Sequence, residues 1–290
     1  MKGIIMAGGL GTRLYPFTKY ISKHLLPIYD KPLIYYPLAV LMKSNIQEIL
    51  IITKKENLND FKKILGDGTK IGINILYKIQ EKPNGIAEAF LLGEGFIGNE
   101  NVMLILGDNI FIGDNLEHKI LKSCKKVDKG KYGAVIFAYE VTEPERYGVI
   151  NFDKLGNAEC IEEKPLNPKS NFCVTGLYIY NNKVIDYAKR LKPSKRNELE
   201  ITDINNIYLD KKNLHVEIIG NENYWFDAGT FESLYLANKK VRDMKIKGNM
   251  GIACIENIAH KKGWVSRMPL KKETFETVNS VENHIEMTQK

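Results

Sequence analysis

The feature that most limits what this chain can become is an alternation. Short apolar runs recur at 3–6, 49–53, 73–77, 102–106, 133–139, 148–152, 174–180 and 215–219. Each has the length of a buried strand rather than a buried helix. Between many of them lie patterns of helical period, at 33–42, 86–96, 116–127, 184–191, 201–209 and 231–244. The first of these opens directly after Pro32, a favoured first-turn residue. Strand–helix alternation over the first 110 or so residues predicts a parallel sheet with helices on both faces. Further on, the strands crowd together, so the sheet is expected to be mixed. No Ser/Gly/Pro-rich linker divides the chain, and no hexapeptide repeat marks a β-helix. The residues after about 268 are polar. Phe275, Val278, Val281 and Ile285 have roughly helical spacing, which predicts a loosely held helix or tail.

Composition removes several classes of function. The 290 residues allow one large domain or two ordinary ones. With 27% charged and 44% apolar residues, the chain has the composition of a globular protein and not of a disordered one. No stretch approaches the ~18 uninterrupted apolar residues of a membrane span. The opening Met-Lys-Gly-Ile-Ile-Met is too short to be a signal peptide's apolar region, so the expected location is the cytoplasm, away from the membrane. Cys124, Cys160, Cys173 and Cys254 are scattered and show no zinc or disulfide spacing. The net charge of +7 comes from lysines spread along the whole chain, without the basic stripe and aromatics of a nucleic-acid binder. Part of it is available for small polyanions.

Five segments carry the chemistry. Gly8-Gly9-Leu10-Gly11-Thr12-Arg13 follows the first strand. Glycines let a backbone turn its N–H groups onto a phosphate, and Arg13 adds a forked cation. The spacing is neither that of a P-loop nor that of a dinucleotide fingerprint. Lys23, ten residues on, could reach the same phosphates, whereas His24 reads as a loop histidine. Asp108 stands just past the end of an apolar strand, where open α/β sheets bind ligands, and suits a Mg²⁺ bridging phosphate oxygens. The plainer role for Asp108 is to cap the next element. Asp227, in Trp225-Phe226-Asp227-Ala228-Gly229-Thr230, is either a helix N-cap or a second metal carboxylate, and nothing local places it near Asp108. In Glu162-Glu163-Lys164-Pro165, a carboxylate could take sugar hydroxyls and the lysine an anion, or the two could form a surface ion pair.

Taken in order, these segments closely resemble the sugar-1-phosphate nucleotidyltransferases, from Met1 to about Val265. Further motifs strengthen the likeness: Lys31-Pro32-Leu33-Ile34-Tyr35-Tyr36-Pro37, Gln80 with Pro83-Asn84-Gly85-Ile86-Ala87, Val174-Thr175-Gly176-Leu177-Tyr178 and Glu198-Leu199-Glu200-Ile201-Thr202-Asp203. The resemblance implies an α/β fold, a Rossmann-like α/β/α sandwich with a predominantly parallel mixed sheet. It implies a catalytic domain over 1–250, with a nucleotide half at about 1–110 and a sugar-phosphate half at about 111–250. A C-terminal helical appendage would fill 251–290. It implies Mg²⁺ as cofactor, a homotetramer, and substrates dTTP and glucose 1-phosphate, giving a nucleotide sugar that feeds deoxysugar synthesis.

Roles follow where motif residues match. Gly8, Gly9, Gly11, Thr12 and Arg13 would wrap the triphosphate, and Lys23 the α-phosphate region. Gln80 and Gly85 would read the base. Asp108 and Asp227 would hold Mg²⁺. Tyr147, Gly148, Glu163 and Val174 would line the sugar pocket, while Lys164 and Arg196 grip the sugar phosphate. Arg13, Lys23 and Lys164 are the expected catalytic cations. Three departures stand out: His24 replaces a common Gln, Ala228 a common Thr, and the tail after Met268 is unlike the family's end, which in relatives helps form a second, inhibitory nucleotide site. Rival readings are a UTP-using enzyme and a non-catalytic nucleotide-sugar-binding subunit. The retained Asp108, Asp227, Arg13, Lys23 and Lys164 speak against the second. A related glycosyltransferase would want D-x-D where Asp108-Asn109-Ile110 stands.

Overall fold

A computed structural model describes residues 1–248 and 251–266. The expected helix or tail through Phe275, Val278, Val281 and Ile285 lies outside the described residues. The first strands are β1 (Lys2–Ala7), β2 (Glu48–Thr53), β3 (Asn74–Ile79), β4 (Val102–Leu106) and β5 (Asn109–Ile112). They are followed by β6 (Ala134–Glu140), β7 (Gly148–Phe152), β8 (Ala158–Glu163), β9 (Phe172–Tyr180), β10 (Leu214–Ile218) and β11 (Tyr224–Asp227). Helices are α1 (Tyr35–Lys43), α2 (Leu58–Leu65), α3 (Glu88–Leu92), α4 (Glu94–Ile97) and α5 (Leu116–Asp128), then α6 (Val184–Arg190), α7 (Ile201–Asp210), α8 (Phe231–Ile246) and α9 (Ile255–Lys261).

Among the described residues, nine strands form one sheet. Its first part runs β3-β2-β1-β4, all parallel. β9 then pairs antiparallel with β4 and β6, and β10 lies parallel to β6 on the outside. The far end of β9 meets β7, which pairs antiparallel with β8. The mixed, mostly parallel sheet is therefore as expected. Both the 1–110 and the 111–250 segments contribute strands to this one sheet.

Strand periodicity distributes the apolar residues. Ile5, Ile51 and Ile105 face one layer with Leu38 and Leu41 of α1 and Ile120 of α5. Their neighbours Ile4, Leu50, Ile52 and Leu104 face the other, with Phe90, Val184, Ile204 and Tyr208. Successive side chains point to opposite faces, so a strand covered on both sides has no polar face. That is why these runs read as continuous apolar stretches. The helical pattern at 86–96 is broken into α3 and α4 at Gly93, where a Cβ would lie 2.9 Å from Ala89 O and 3.0 Å from Ile4 Cδ1. The break lets the helical segment press onto the sheet. α9 packs on α1. No helix among the described residues is long and apolar enough to cross a membrane.

Candidate active site

Parallel strands end together, and the site lies where β1 and β4 end. The chain leaves β1 into the glycine loop, and each glycine the fold requires there has a visible reason. A Cβ on Gly8 would overlap the side chain of Gln80. Gly11 has φ +63°, in the left-handed region, and a Cβ there would sit 2.8 Å from Thr18 Cγ2. Thr18 Oγ1 donates to Gly11 O at 2.9 Å and closes the loop. Thr12 and Arg13 lie on a single 3₁₀ turn, Thr12–Leu14, and Lys23 on another, Lys23–Leu25. The Lys23 side chain runs beside Gly9, with Nζ 3.4 Å from where a Cβ would be.

β4 leads through Gly107 to Asp108, and β5 begins at once. β5 pairs antiparallel with β11, so that Asn109 lies opposite Asp227. Ala228 N donates to Asp108 O at 2.9 Å. This non-local pairing brings the two carboxylates together. Neither is a helix cap. The cap of α8 is Thr230, whose Oγ1 accepts from Ser233 N at 3.2 Å while Ser233 Oγ accepts from Thr230 N. Asp227 is thereby left to face the cleft.

Asp108 pairs with the ammonium of Lys23, and its other oxygen accepts from Asn109 Nδ2 at 3.0 Å. Burial alone would raise its pKa. The charges and donors of Lys23 and Asn109 outweigh burial and hold the carboxyl below its ordinary range. Asp227 behaves in the opposite way. Burial and the charge of Asp108 push it up, against the pull of Lys23, Arg13 and Arg146. Arg13 approaches it at 3.9 Å. Two neighbouring carboxylates suit a small hard cation that keeps water and takes its other oxygens from phosphates. Among the described residues, no cluster of three or more His, Cys, Asp or Glu forms a closed metal cage.

Two clefts open from this point. One, of about 200 Å³, is lined by Gly9, Lys23, His24, Gln80, Gly85 and Asp108 among others. Gln80 is buried, and its Nε2 donates to Glu88 Oε2 at 2.6 Å. His24 is buried too, with Nδ1 3.0 Å from Ser22 Oγ. Burial, then the charge of Lys23, lower its pKa to about 3 against the pull of Asp108. It is therefore neutral near pH 7 and offers the cleft hydrogen bonds but no charge.

The larger cleft, of about 710 Å³, is lined by Thr12, Arg13, Arg146, Tyr147, Gly148, Glu163, Lys164, Val174, Arg196, Trp225 and Asp227, with Asp108 shared between the two. Glu163 ends β8. Its Oε2 accepts from Thr202 Oγ1 at 2.6 Å, and its Oε1 faces Arg196 at 3.6 Å and Lys164 at 4.0 Å. Lys164 has φ +46°, a left-handed residue that turns the chain out of the strand. Tyr147 packs edge-on against Trp225 at 5.2 Å between ring centres. Burial and Asp227 push its hydroxyl up to about 12, so it is a neutral donor.

Every residue expected from the sequence therefore lines one of the two clefts or, like Gly8 and Gly11, shapes the loop between them. Sequence reasoning misses several others. Asn109 is buried and accepts from Gly176 N at 3.0 Å and Trp225 Nε1 at 2.6 Å while donating to Asp108, tying three strands to the carboxylate. Arg146 adds a cation beside Tyr147. Glu198 and Glu200 hold Arg196. Glu198, Glu200 and Asn109 lie within motifs that assign them no role, and Arg146 has only its neighbour Tyr147 as a local signal.

The model of the family described as nucleotidyl transferase matches residues 2–244. A glucose-1-phosphate thymidylyltransferase of Neisseria meningitidis is 50% identical over 272 residues, covering 94% of this chain and 93% of its own. Among solved structures, a Bacillus anthracis chain crystallised with a sucrose is 46% identical with TM-score 0.77, over 84% of this chain and 96% of its own. A UDP-glucose pyrophosphorylase complexed with UDP-glucose is 28% identical with TM-score 0.73, over 84% and 98%.

Proposed function

We propose that this chain, which belongs to the nucleotidyl transferase family, joins dTTP to glucose 1-phosphate, forming dTDP-glucose and pyrophosphate. The observation that carries the reading is the convergence of two clefts on Asp108, one walled by a glycine loop with Lys23, the other by Asp227, Glu163, Lys164 and Arg196.

A phosphate monoester has a second pKa near ~6, so the sugar phosphate is already mostly dianionic at neutral pH and needs no general base. The site matches that requirement. Its facing groups are cations, carboxylates, glycines, a neutral His24 and a neutral Tyr147. The task left to the protein is to bring two polyanions into line and to offset their charge. The backbone of Gly8, Gly9 and Gly11 with Thr12 and Arg13 would hold the triphosphate, and Lys23 the α-phosphate. Gln80 and Gly85 would read the pyrimidine. Tyr147, Gly148, Glu163 and Val174 would seat the glucose, and Lys164 with Arg196 its phosphate. The phosphate oxygen of the sugar attacks the α-phosphorus as the bond to the β-phosphate breaks, and pyrophosphate leaves with that electron pair. Asp108 and Asp227 would hold Mg²⁺, which when bound would neutralise charge gathering on the phosphates.

A cytoplasmic homotetramer belongs to the same proposal, and its mass in solution checks the assembly. The deciding experiment measures pyrophosphate release with Mg²⁺ and glucose 1-phosphate for dTTP, UTP, CTP, GTP and ATP in turn. The reading expects the highest kcat/KM with dTTP. Because one methyl is worth only ~1–3 kcal/mol, UTP should be used at a tenth to a two-hundredth of that, roughly. A preference for UTP would transfer the assignment to uridylyl transfer. Nucleotide binding without any turnover would favour a binding subunit.

A further inference from the structure

The two clefts are connected by backbone. Leu199 N donates to Asn84 O at 2.6 Å, and Ala87 N donates to Leu199 O at 3.2 Å. These two bonds clamp one residue of the sugar-phosphate side across the turn that carries Gly85. The fit leaves no space. Gly85 has φ +106°, and a Cβ there would lie 2.6 Å from Leu199 N and 2.9 Å from its carbonyl carbon.

Each side of the clamp is tied to its own cleft. On the base side, Glu88 accepts from Gln80 Nε2 at 2.6 Å and from Asn84 Nδ2 at 2.7 Å. On the other side, Glu200 accepts from Ser194 Oγ at 2.7 Å and Arg196 Nε at 3.1 Å. Arg196 also pairs with Glu198 and faces Glu163, and Glu198 lines both clefts. Leu199 is thus flanked by the two carboxylates that hold the arginine.

We propose that this clamp couples the two substrates. Nucleotide in the base cleft fixes the Asn84–Gly85 turn. Through Leu199 it sets Glu198 and Glu200, and they hold Arg196 ready for the sugar phosphate. Leu199 is a positioning residue and touches neither substrate. The inference rests on reading the clefts as nucleotide and sugar-phosphate sites. Coupling of this kind is reciprocal: a sugar phosphate that binds Arg196 in the place its carboxylates hold it must strengthen nucleotide binding by the same factor.

The test titrates glucose 1-phosphate calorimetrically into the full chain with Mg²⁺, with and without saturating α,β-methylene dTTP, and repeats this for Ala87→Pro and Leu199→Pro. Each variant deletes one of the two clamp hydrogen bonds without changing a residue assigned to either substrate. Ala87 already has φ −65°, which proline adopts. The wild type should bind glucose 1-phosphate at least about five-fold more tightly when the analogue is present. In the variants that enhancement should fall toward one-fold while each ligand alone still binds. Thermal melting shows which variants are folded, and either one suffices. A wild type without enhancement overturns the coupling, and undiminished enhancement in a folded variant overturns the clamp. A folded wild type that binds neither ligand overturns the functional reading, and this inference falls with it.

Discussion

Replacing Asp108 by Asn tests the centre of the site, because the structure separates its effect on chemistry from its effect on stability. The substitution keeps the shape and one acceptor, so the bond from Asn109 Nδ2, now 3.0 Å to Oδ1, can persist. It deletes the negative charge that pairs with Lys23. Orphaning a buried charge costs about 3–5 kcal/mol. Two features reduce that here. The Lys23 and Asp108 side chains keep 11% and 13% exposure, so water reaches the pair. The repulsion that raises Asp227 also disappears. A net loss of about 1–3 kcal/mol follows, which lowers Tm by roughly 2–4 °C per kcal/mol and leaves the fold intact.

Activity should fall much further. Half of the proposed metal ligands are gone, and charge stabilisation by a bound metal is worth several kcal/mol. At ~4 kcal/mol the loss is about a thousand-fold in kcat. Pyrophosphate release is measured against Mg²⁺ concentration, alongside melting. Lys23→Met provides the contrast. It breaks the same ion pair but leaves both carboxylates, so it should raise the KM for dTTP while keeping a normal response to Mg²⁺. Turnover of Asp108→Asn near the wild-type level at fixed Mg²⁺ would refute the metal assignment. So would a Lys23→Met variant with the same metal response as Asp108→Asn.

Other expectations follow from individual contacts. Gly8→Ala places a methyl where the Gln80 amide lies and breaks its bond to Glu88. Losing a hydrogen bond to a charged group costs about 1.5–3 kcal/mol, so kcat/KM for dTTP should drop roughly ten- to a hundred-fold in steady-state assays. Thr202→Val removes the donor that steadies Glu163 and should raise the KM for glucose 1-phosphate about ten-fold, with the KM for dTTP little changed. Away from the site, Glu217 is favoured in its neutral form by burial, but His215 and Lys126 pull its pKa from 4.5 down to about 2. The ionised form is therefore stabilised in the folded state, an effect fully present above pH 4.5 and lost as pH falls through about 2. Lys126→Met should lower stability by up to ~1 kcal/mol at pH 7, and denaturant titrations should show that difference shrinking below pH 4.5.

The contrast between what the sequence discloses and what it withholds is physical. Strands buried on both faces announce themselves, because a continuous apolar run as short as the one in β4 suits a doubly covered strand and little else. β8 does not. It lies at the sheet's edge, and Ala-Glu-Cys-Ile-Glu-Glu buries only its isoleucine. Its sequence has the look of a charged loop, although it delivers Glu163 to the cleft. β5 and β11 escape for a different reason. Each is four residues long, and their partners are separated by more than a hundred positions, from Asn109 to Asp227. Local periodicity holds no information about such a pairing. Yet that pairing alone brings Asp227 beside Asp108 and turns an apparent helix cap into half of a carboxylate pair. The glycine loop, by contrast, is legible because a glycine cluster directly after a strand is itself the signal: Gly11 has φ +63°, and Thr18, seven residues on, lies 2.8 Å from where its Cβ would be. The same distinction predicts which substitutions a sequence reading will misjudge. At Asn109 the neighbouring residues assign the amide no role. The structure makes it the acceptor for Gly176 N and Trp225 Nε1. Asn109→Ala would leave both donors buried and unpaired, at about 1–3 kcal/mol each, so it should destabilise the chain more than Asp108→Asn does. Chemical denaturation of the two variants side by side decides it, and an Asn109→Ala protein as stable as the wild type would show that the three-strand tie holds nothing together.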